Sequence, residues 1–378
     1  MQGICYHAGM LRKLLSIGLL ILCCIAPAND ELALHLFRSV VQQAPTQNVV
    51  FSPASAEACL HALTQGAAGQ SRAKLKQVLS SSNASLKGSN VPVQQNIGIF
   101  ADDTIPLKAG LSNITRIPLT QNRQKAQDVI NAWFSKHTRG NFSQLLSGAD
   151  ALSPNCRMLV LSSIYLDASW DNVFAEADTY RSEFTRTDGR DIIVDMMSSG
   201  ETELTAAGGK NWRAVALPYK NSAIAQRPIF FVAILTRGSA AQFAQRLTCE
   251  KLDIIRRKLA EKKLTVCVDI PKFTANSELM DLTQALKDKG LKLIFTDKAD
   301  FSNWTDAKEL WLSAVKQKAY VSITEQGTTA AAAGYAELED ECAAETLMFN
   351  KPFLWFIGEL TPGSTPLFMG ICENPLAN

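Results

Sequence analysis

The segment Leu338-Glu339-Asp340-Glu341-Cys342 sets three carboxylates beside a thiol. A thiol on an exposed segment in an oxidising space pairs, oxidises or reacts. The competing reading of Cys342 is a small apolar side chain. The groups that enzymes use for nucleophilic or metal chemistry are otherwise sparse. Beyond the first 28 residues the histidines are His35, His61 and His137. None sits near a G-x-S-x-G nucleophile turn, and no such turn occurs. H-E-x-x-H, P-loop and G-x-G-x-x-G fingerprints are also missing. With no C-x-x-C and no Cys/His cluster, neither a metal nor a cofactor is expected.

The stretch before the acids is nearly bare. Ala319-Tyr320-Val321-Ser322-Ile323-Thr324 alternates as a strand does. Then come Glu325, Gln326, Gly327, Thr328 and Thr329, followed by Ala330, Ala331, Ala332, Ala333 and Gly334. Side chains this small have little to pack with, so the run reads as an exposed loop. Four alanines favour a helix; the preceding strand and the glycines at both ends argue against one. Alternate residues from Thr328 give Thr328, Ala330, Ala332, Gly334, Ala336 and Leu338, all small or apolar. The interleaved set ends in Glu337 and Glu339. A strand sends such sets to opposite faces. The loop could therefore become a strand with one face in a core and the other in water.

These residues belong to a chain that reads as exported. Arg12 and Lys13 precede the apolar run Leu14 to Ile25, and Ala26-Pro27-Ala28 offers small residues for cleavage. Residues 1–28 are expected to be a signal peptide, and the run is short for a membrane span. No membrane association is expected after its removal. The leader takes Arg12 and Lys13 from the 38 basic residues and no acid, leaving 36 against 36. That balance does not point to nucleic acid as a partner. The densest basic stretch, Arg256-Arg257-Lys258 with Lys262-Lys263, reads as a solvated helix face rather than a polyanion site. Cys59, Cys156, Cys249, Cys267, Cys342 and Cys372 remain, too few for a disulfide scaffold in a chain this long. N-x-S/T sequons at Asn83, Asn113, Asn141 and Asn303 are candidate glycan sites.

Along residues 29–378 no low-complexity linker or repeat divides the chain, so a single domain is expected. Helical periodicity spans Glu31 to Gln42 and Ala126 to Thr138. Ser52-Pro53 is a helix start, with Ser as cap and Pro in the first turn. Strands are predicted at Asn48 to Phe51, Gln94 to Ala101, Met158 to Leu166, Ile229 to Leu235 and Leu264 to Ile270. Further strands are predicted at Ala319 to Thr324, Pro352 to Leu360 and Pro366 to Cys372, and a hairpin over Phe184 to Met197 turning at Asp188-Gly189. Met158 to Leu166 is mostly apolar and should be a central strand. The order suggests an α+β fold with more than one sheet.

Taken in order, these landmarks resemble the serpin family. Asn48-Val49-Val50-Phe51-Ser52-Pro53 is similar to its strand-to-helix entry, and Leu159 to Trp170 to its central strand. Val194-Asp195-Met196-Met197, Leu217-Pro218-Tyr219, Asp269-Ile270-Pro271-Lys272-Phe273 and Ala299-Asp300-Phe301-Ser302 match shorter motifs. Phe349-Asn350-Lys351-Pro352-Phe353 and Pro366-Leu367-Phe368-Met369-Gly370 match the C-terminal strands. The resemblance implies a serpin fold: a large central β-sheet, two smaller sheets, about eight to nine helices and an exposed reactive loop at about 327–348. It implies a hinge formed by Glu325, Gly327, Thr328 and Ala330 to Ala333. It places Ser52, Ser162, Trp170 and Gln317 where the sheet opens. Two departures stand out. Ser162 replaces the Asn usual in the family, and Ser offers fewer hydrogen bonds. The region from Ser80 to Thr120 is shorter than usual, which weakens any heparin-type cofactor reading.

The resemblance also implies a mechanism. An extracellular protease takes the loop as substrate, becomes acylated, and is carried off as the cut loop enters the central sheet. Family spacing puts the cut fourteen residues after Gly327, at Glu341–Cys342, and counting back eight from Phe349 gives Glu341 again. Lys and Arg are absent between Lys318 and Lys351, so a trypsin-like target is not expected. Cutting at Leu338 instead would shorten the inserting arm by roughly 10 Å. The expected product is a secreted, monomeric inhibitor that forms a covalent complex with a serine protease, or a cysteine protease of acidic preference. The alternative is a non-inhibitory relative acting in carriage, storage or signalling.

Overall fold

A computed structural model describes residues 30–80, 93–137, 145–148, 151–171, 174–220, 228–328 and 345–377. Helix α1 (Glu31–Gln43) buries Leu32, Leu36, Phe37, Val40 and Val41, a stripe at three- to four-residue spacing. Strand β1 (Val49–Phe51) runs straight into α2 (Pro53–Gly66). As expected, Ser52 caps α2: its Oγ accepts the Ser55 amide at 3.1 Å, and Pro53 fills the first turn. Helix α3 (Gly69–Leu79) completes the N-terminal group. Then come β2 (Val93–Asp102), β3 (Ile114–Ile117) and α4 (Arg123–His137), which buries Ala126, Ile130 and Phe134.

Strand β4 (Met158–Leu166) is buried along nearly its whole length, and β5 (Ala168–Ser169) continues its path. The predicted hairpin is β6 (Thr179–Thr185) with β7 (Asp191–Gly209), closing through Arg186 and Arg190 around Asp188-Gly189. Strands β8 (Trp212–Pro218) and β9 (Phe230–Thr236) lead to α5 (Ala240–Gln245) and α6 (Cys249–Glu261). After β10 (Lys263–Pro271), β11 (Phe273–Asn276) and β12 (Met280–Asp281) comes α7 (Thr283–Leu286). The chain closes with β13 (Ala314–Thr324), β14 (Gly327–Thr328), β15 (Glu345–Met348), β16 (Phe353–Gly358) and β17 (Phe368–Cys372).

An eight-stranded central sheet runs β3-β2-β4-β13-β14-β5, with β11 and β12 also paired to β13. Strand β4 is central, as its apolar run predicts. A nine-stranded sheet runs β1-β17-β16-β9-β8-β7-β10-β15, with β6 on β7. The two smaller sheets that the resemblance implies are thus continuous, through β7 and through β10 paired along it. β7 carries β6 on its first residues and turns with Gly200 at φ 57°. It then pairs β8 over its last residues. Seven α-helices and three short 3₁₀ or π turns are present among the described residues.

Three boundaries differ from the sequence expectation for simple reasons. Pro352 and Pro366 stay outside β16 and β17, because proline brings no amide to a ladder. β13 starts at Ala314, five residues before the predicted Ala319, because Val315, Gln317 and Ala319 alternate inward while Lys316 and Lys318 face outward. The core lies between the sheets and under the helices. Trp355 stacks on Phe231 at 5.7 Å between centroids, and Gly370 leaves space that a Cβ would fill, 2.2 Å from the Trp355 ring. Helix α4 packs on the central sheet through a separate apolar group that includes Phe100, Ile130, Leu159 and Leu161.

Candidate functional site: the loop hinge and the opening of the central sheet

β4 and β13 lie side by side in parallel, from Leu159 opposite Ala314 to Tyr165 opposite Tyr320. Beyond Tyr320 they part, and another piece of chain enters the gap. β13 ends at Thr324, the chain reverses through Glu325 and Gln326, and Gly327–Thr328 returns as β14. This two-residue strand pairs with β13 on one side, Ile323 to Thr328 and Thr324 to Gly327. On the other it pairs with β5, Gly327 to Ser169 and Thr328 to Ala168. The first hinge residues are therefore already strand residues of the central sheet.

Glycine is required at the first of them. Gly327 has φ 137°, and a Cβ there would lie 2.2 Å from the Ala168 carbonyl oxygen. Thr328 is fully buried, and its hydroxyl is 2.7 Å from that of Tyr219, also fully buried. Burial pushes the Tyr219 phenol well up from its ordinary range, so it stays neutral. Trp170 organises the reversal. Its indole Nε1 donates to the Thr324 carbonyl at 2.9 Å, and its backbone amide donates to the Gln326 carbonyl at 3.1 Å. Its ring stacks on Tyr219 at 4.8 Å.

Glu325 is pinned inside this turn. The Lys272 ammonium lies 2.8 Å from Glu325 Oε1, and the Thr179 hydroxyl donates to the same oxygen at 2.8 Å. Burial pushes the carboxyl up, but Lys272, the Glu325 amide and Thr179 together pull it below its ordinary value. A depressed carboxyl adds stability above the ordinary carboxylate range and loses it as the pH falls through the folded value. The turn is thus firm at neutral pH and loosens in acid.

Farther down the β4–β13 seam, Gln317 is fully buried opposite Ser162. Gln317 Oε1 accepts the Ser52 amide at 2.7 Å, and Nε2 donates to the Ser52 carbonyl at 3.0 Å. Ser52 Oγ donates to the Leu367 carbonyl at 2.6 Å. One glutamine thereby ties β13 to the start of α2. Ser162 takes no part: its Oγ is buried without a nitrogen or oxygen partner, and its polar neighbour is the Cys59 thiol. Burial pushes that thiol up to about 12, so Cys59 remains protonated. On the opposite face Tyr165 and Tyr320 stack across the seam at 6.2 Å.

The structure thus brings together Glu325, Gly327, Thr328 and Trp170 at the hinge, and Ser52, Ser162 and Gln317 along the seam. Ala330, Ala331, Ala332, Ala333, Glu341 and Cys342 lie outside the described residues, as do Asn83 and Asn141. Cys267, on β10, is disulfide-bonded; Cys59, Cys156, Cys249 and Cys372 are free thiols. Asn113 is exposed. Asn303 is exposed too, but its Nδ2 donates to the Ala67 carbonyl at 2.9 Å and to that of Gln65 at 3.3 Å. Sequence reasoning missed Lys272, Thr179, Tyr219 and the Tyr165–Tyr320 stack as working parts. Lys272 and Tyr219 sit inside motifs that pointed to the family, but no local pattern says what they touch.

Two sets of substitutions test this geometry. Ser52→Ala removes a cap and a buried hydrogen bond and should cost about 1–2 kcal/mol in urea unfolding. Ser162→Ala removes a buried hydroxyl whose polar neighbour is only the Cys59 thiol and should change stability by less than about 1 kcal/mol. The reverse order would contradict the assignment of the Ser52 hydroxyl as the cap of α2 and as the donor to the Leu367 carbonyl. At the hinge, Glu325→Lys sets two ammonium groups together, and Lys272→Glu in the same chain should restore an attractive pair. Lys272 is 37% exposed, so solvent screening limits the coupling to about 1 kcal/mol at pH 7. It should fade as the pH drops below the carboxylate range, and strictly additive effects would show no coupling at all.

Comparison with known proteins shows the family and the fold. The family model described as Serpin (serine protease inhibitor) matches residues 27–101 and 109–375. Bovine plasminogen activator inhibitor 1 is 26% identical over 93% of this chain and 92% of its own. Bovine leukocyte elastase inhibitor is 26% identical over 93% and 99%. Among solved structures, human thyroxine-binding globulin complexed with thyroxine aligns with a TM-score of 0.79 at 22% identity, over 93% of this chain and 98% of its own. Serpin48 of the insect Tenebrio molitor aligns with a TM-score of 0.76 at 21% identity, over 92% and 97%. Relatives across the full match are named as protease inhibitors rather than enzymes, and this chain belongs to the serpin family.

Proposed function

We propose that this serpin is a secreted suicide-substrate inhibitor of an endopeptidase. The protease nucleophile attacks the Glu341 carbonyl carbon, the Glu341–Cys342 bond breaks, and the Cys342 amine leaves with a proton. The enzyme is left esterified to Glu341, or thioesterified if its nucleophile is a cysteine. The freed arm then adds to the central sheet between β4 and β13, main-chain hydrogen bonds drive its entry, and the attached enzyme is dragged along. Distortion of the enzyme before water arrives leaves the acyl bond in place.

The observation that carries this reading is the burial of Thr328 between β13 and β5. Insertion needs no new nucleus, only continuation of a strand already begun. The small set Ala330, Ala332 and Gly334 follows Thr328 at every second residue and suits the inward face. The relatives named as inhibitors support the same class. A trypsin-like target is disfavoured for want of a basic residue between Lys318 and Lys351. The acids from Glu339 to Glu341 favour a glutamate-cleaving serine protease or a cysteine protease of acidic preference. The inhibitor acts as a monomer and without a heparin-type cofactor. The second reading, a carrier, draws on the thyroxine-bound relative of the same fold.

Incubation with a panel that includes a glutamyl endopeptidase tests the proposal. An SDS-resistant complex is expected with an acidic-preference enzyme, together with a C-terminal fragment starting at Cys342 that separates on a reducing, denaturing gel. Turnover of the loop with every enzyme and no such complex would favour the carrier.

A further inference from the structure

The basic face of α6 borders a cleft that the inhibitory mechanism does not use. Its volume is about 210 Å³, below the roughly 300–1,000 Å³ of sites for drug-sized molecules. Trp212, Phe243 and Ile254 form apolar walls, Ile255 is buried at the floor, and Lys210 and Lys251 stand at the rim. Acids are absent from the lining.

The walls are held in place. Gly209 pairs with Trp212, so Lys210 and Asn211 form a two-residue hairpin turn between β7 and β8. A Cβ at Gly209 would lie 2.5 Å from the Trp212 indole, so glycine there lets the ring lie against the turn. Lys258 sits 6.0 Å over the same ring and donates to the Gly208 carbonyl at 3.1 Å. The Asn211 carbonyl accepts the Arg237 amide at 3.0 Å. Ile254 is one of four large apolar side chains left exposed among the described residues. Lys251 spends one donor on the Arg246 carbonyl, which leaves two N–H groups for a ligand.

Apolar walls, a cationic rim and no acid complement one kind of molecule. We propose that this cleft binds a small amphipathic monoanion, an aromatic or short-chain carboxylate or sulfonate. Its body lies on Trp212, Phe243 and Ile254, and its anionic head sits between Lys210 and Lys251. A simple polyanion would use the lysines and leave the walls bare, so the apolar body separates this reading from a general basic surface. The site lies apart from the hinge and does not depend on protease inhibition.

Isothermal titration of the full secreted chain with naphthalene-2-sulfonate tests it. Saturable binding at one site is expected. Lys210→Gln with Lys251→Gln should weaken it about tenfold, through loss of two charge-assisted contacts. Ile254→Glu changes an exposed residue, so the fold survives, and the new carboxylate should weaken binding by at least as much. The neutral analogue 2-naphthylmethanol should bind about tenfold more weakly, and equimolar inorganic sulfate should not displace the probe. The proposal is overturned by no binding, by unchanged affinity in both variants, by equal affinity for the neutral analogue, or by displacement with sulfate.

Discussion

The parallel pairing of β4 with β13 is the contact on which the rest of the molecule turns. From Leu159–Ala314 to Tyr165–Tyr320 it is an ordinary ladder. It is also the place where a further strand would have to enter. A ladder that must open cannot be held by an interlocked core alone, because close-packed side chains resist separation. Across the seam Tyr165 stacks on Tyr320, while Gln317 clasps both backbone groups of Ser52 and anchors β13 to the start of α2 rather than to β4. Ser162, which forms no conventional hydrogen bond across the seam, adds little to closure.

The hinge supplies the complementary half. Trp170 holds the carbonyls of Thr324 and Gln326, Lys272 and Thr179 hold Glu325, and Tyr219 holds Thr328. Each of these partners comes from a part of the chain distant from the loop. The turn is therefore fixed by tertiary contacts rather than by its own propensities. Two strand residues are inserted, and the small alternating residues after them have no bulk to prevent more. On the proposed mechanism such a state would persist because opening the seam is slow, not because its hydrogen bonding is complete.

Much of this was legible from residue types. The Ser52-Pro53 start of α2, the central position of β4 and the hairpin at Asp188-Gly189 follow from caps, apolar runs and turn chemistry. The fold as a whole was read through resemblance, since no periodicity states which strands pair. What escaped was long-range. The Lys272–Glu325 pair joins residues far apart in sequence, as does Tyr219–Thr328, and neither residue of a pair carries a local mark of the other. The joining of two sheets by β7 depends on a bend at Gly200 inside a continuous strand, which alternation alone does not reveal. Gln317 sits between two lysines, and nothing in that pattern states that it points inward and is fully buried.

The central claim is that the loop has a second home in the ladder between β4 and β13. The most direct measurement is the melting temperature of the chain before and after a single cut in the loop, with the fragments left associated. Insertion adds on the order of ten main-chain hydrogen bonds at roughly 1 kcal/mol each, which for a chain of this size corresponds to a rise of roughly 20 °C. An unchanged or lowered melting temperature after a clean cut would mean that the strand begun at Gly327–Thr328 goes no further.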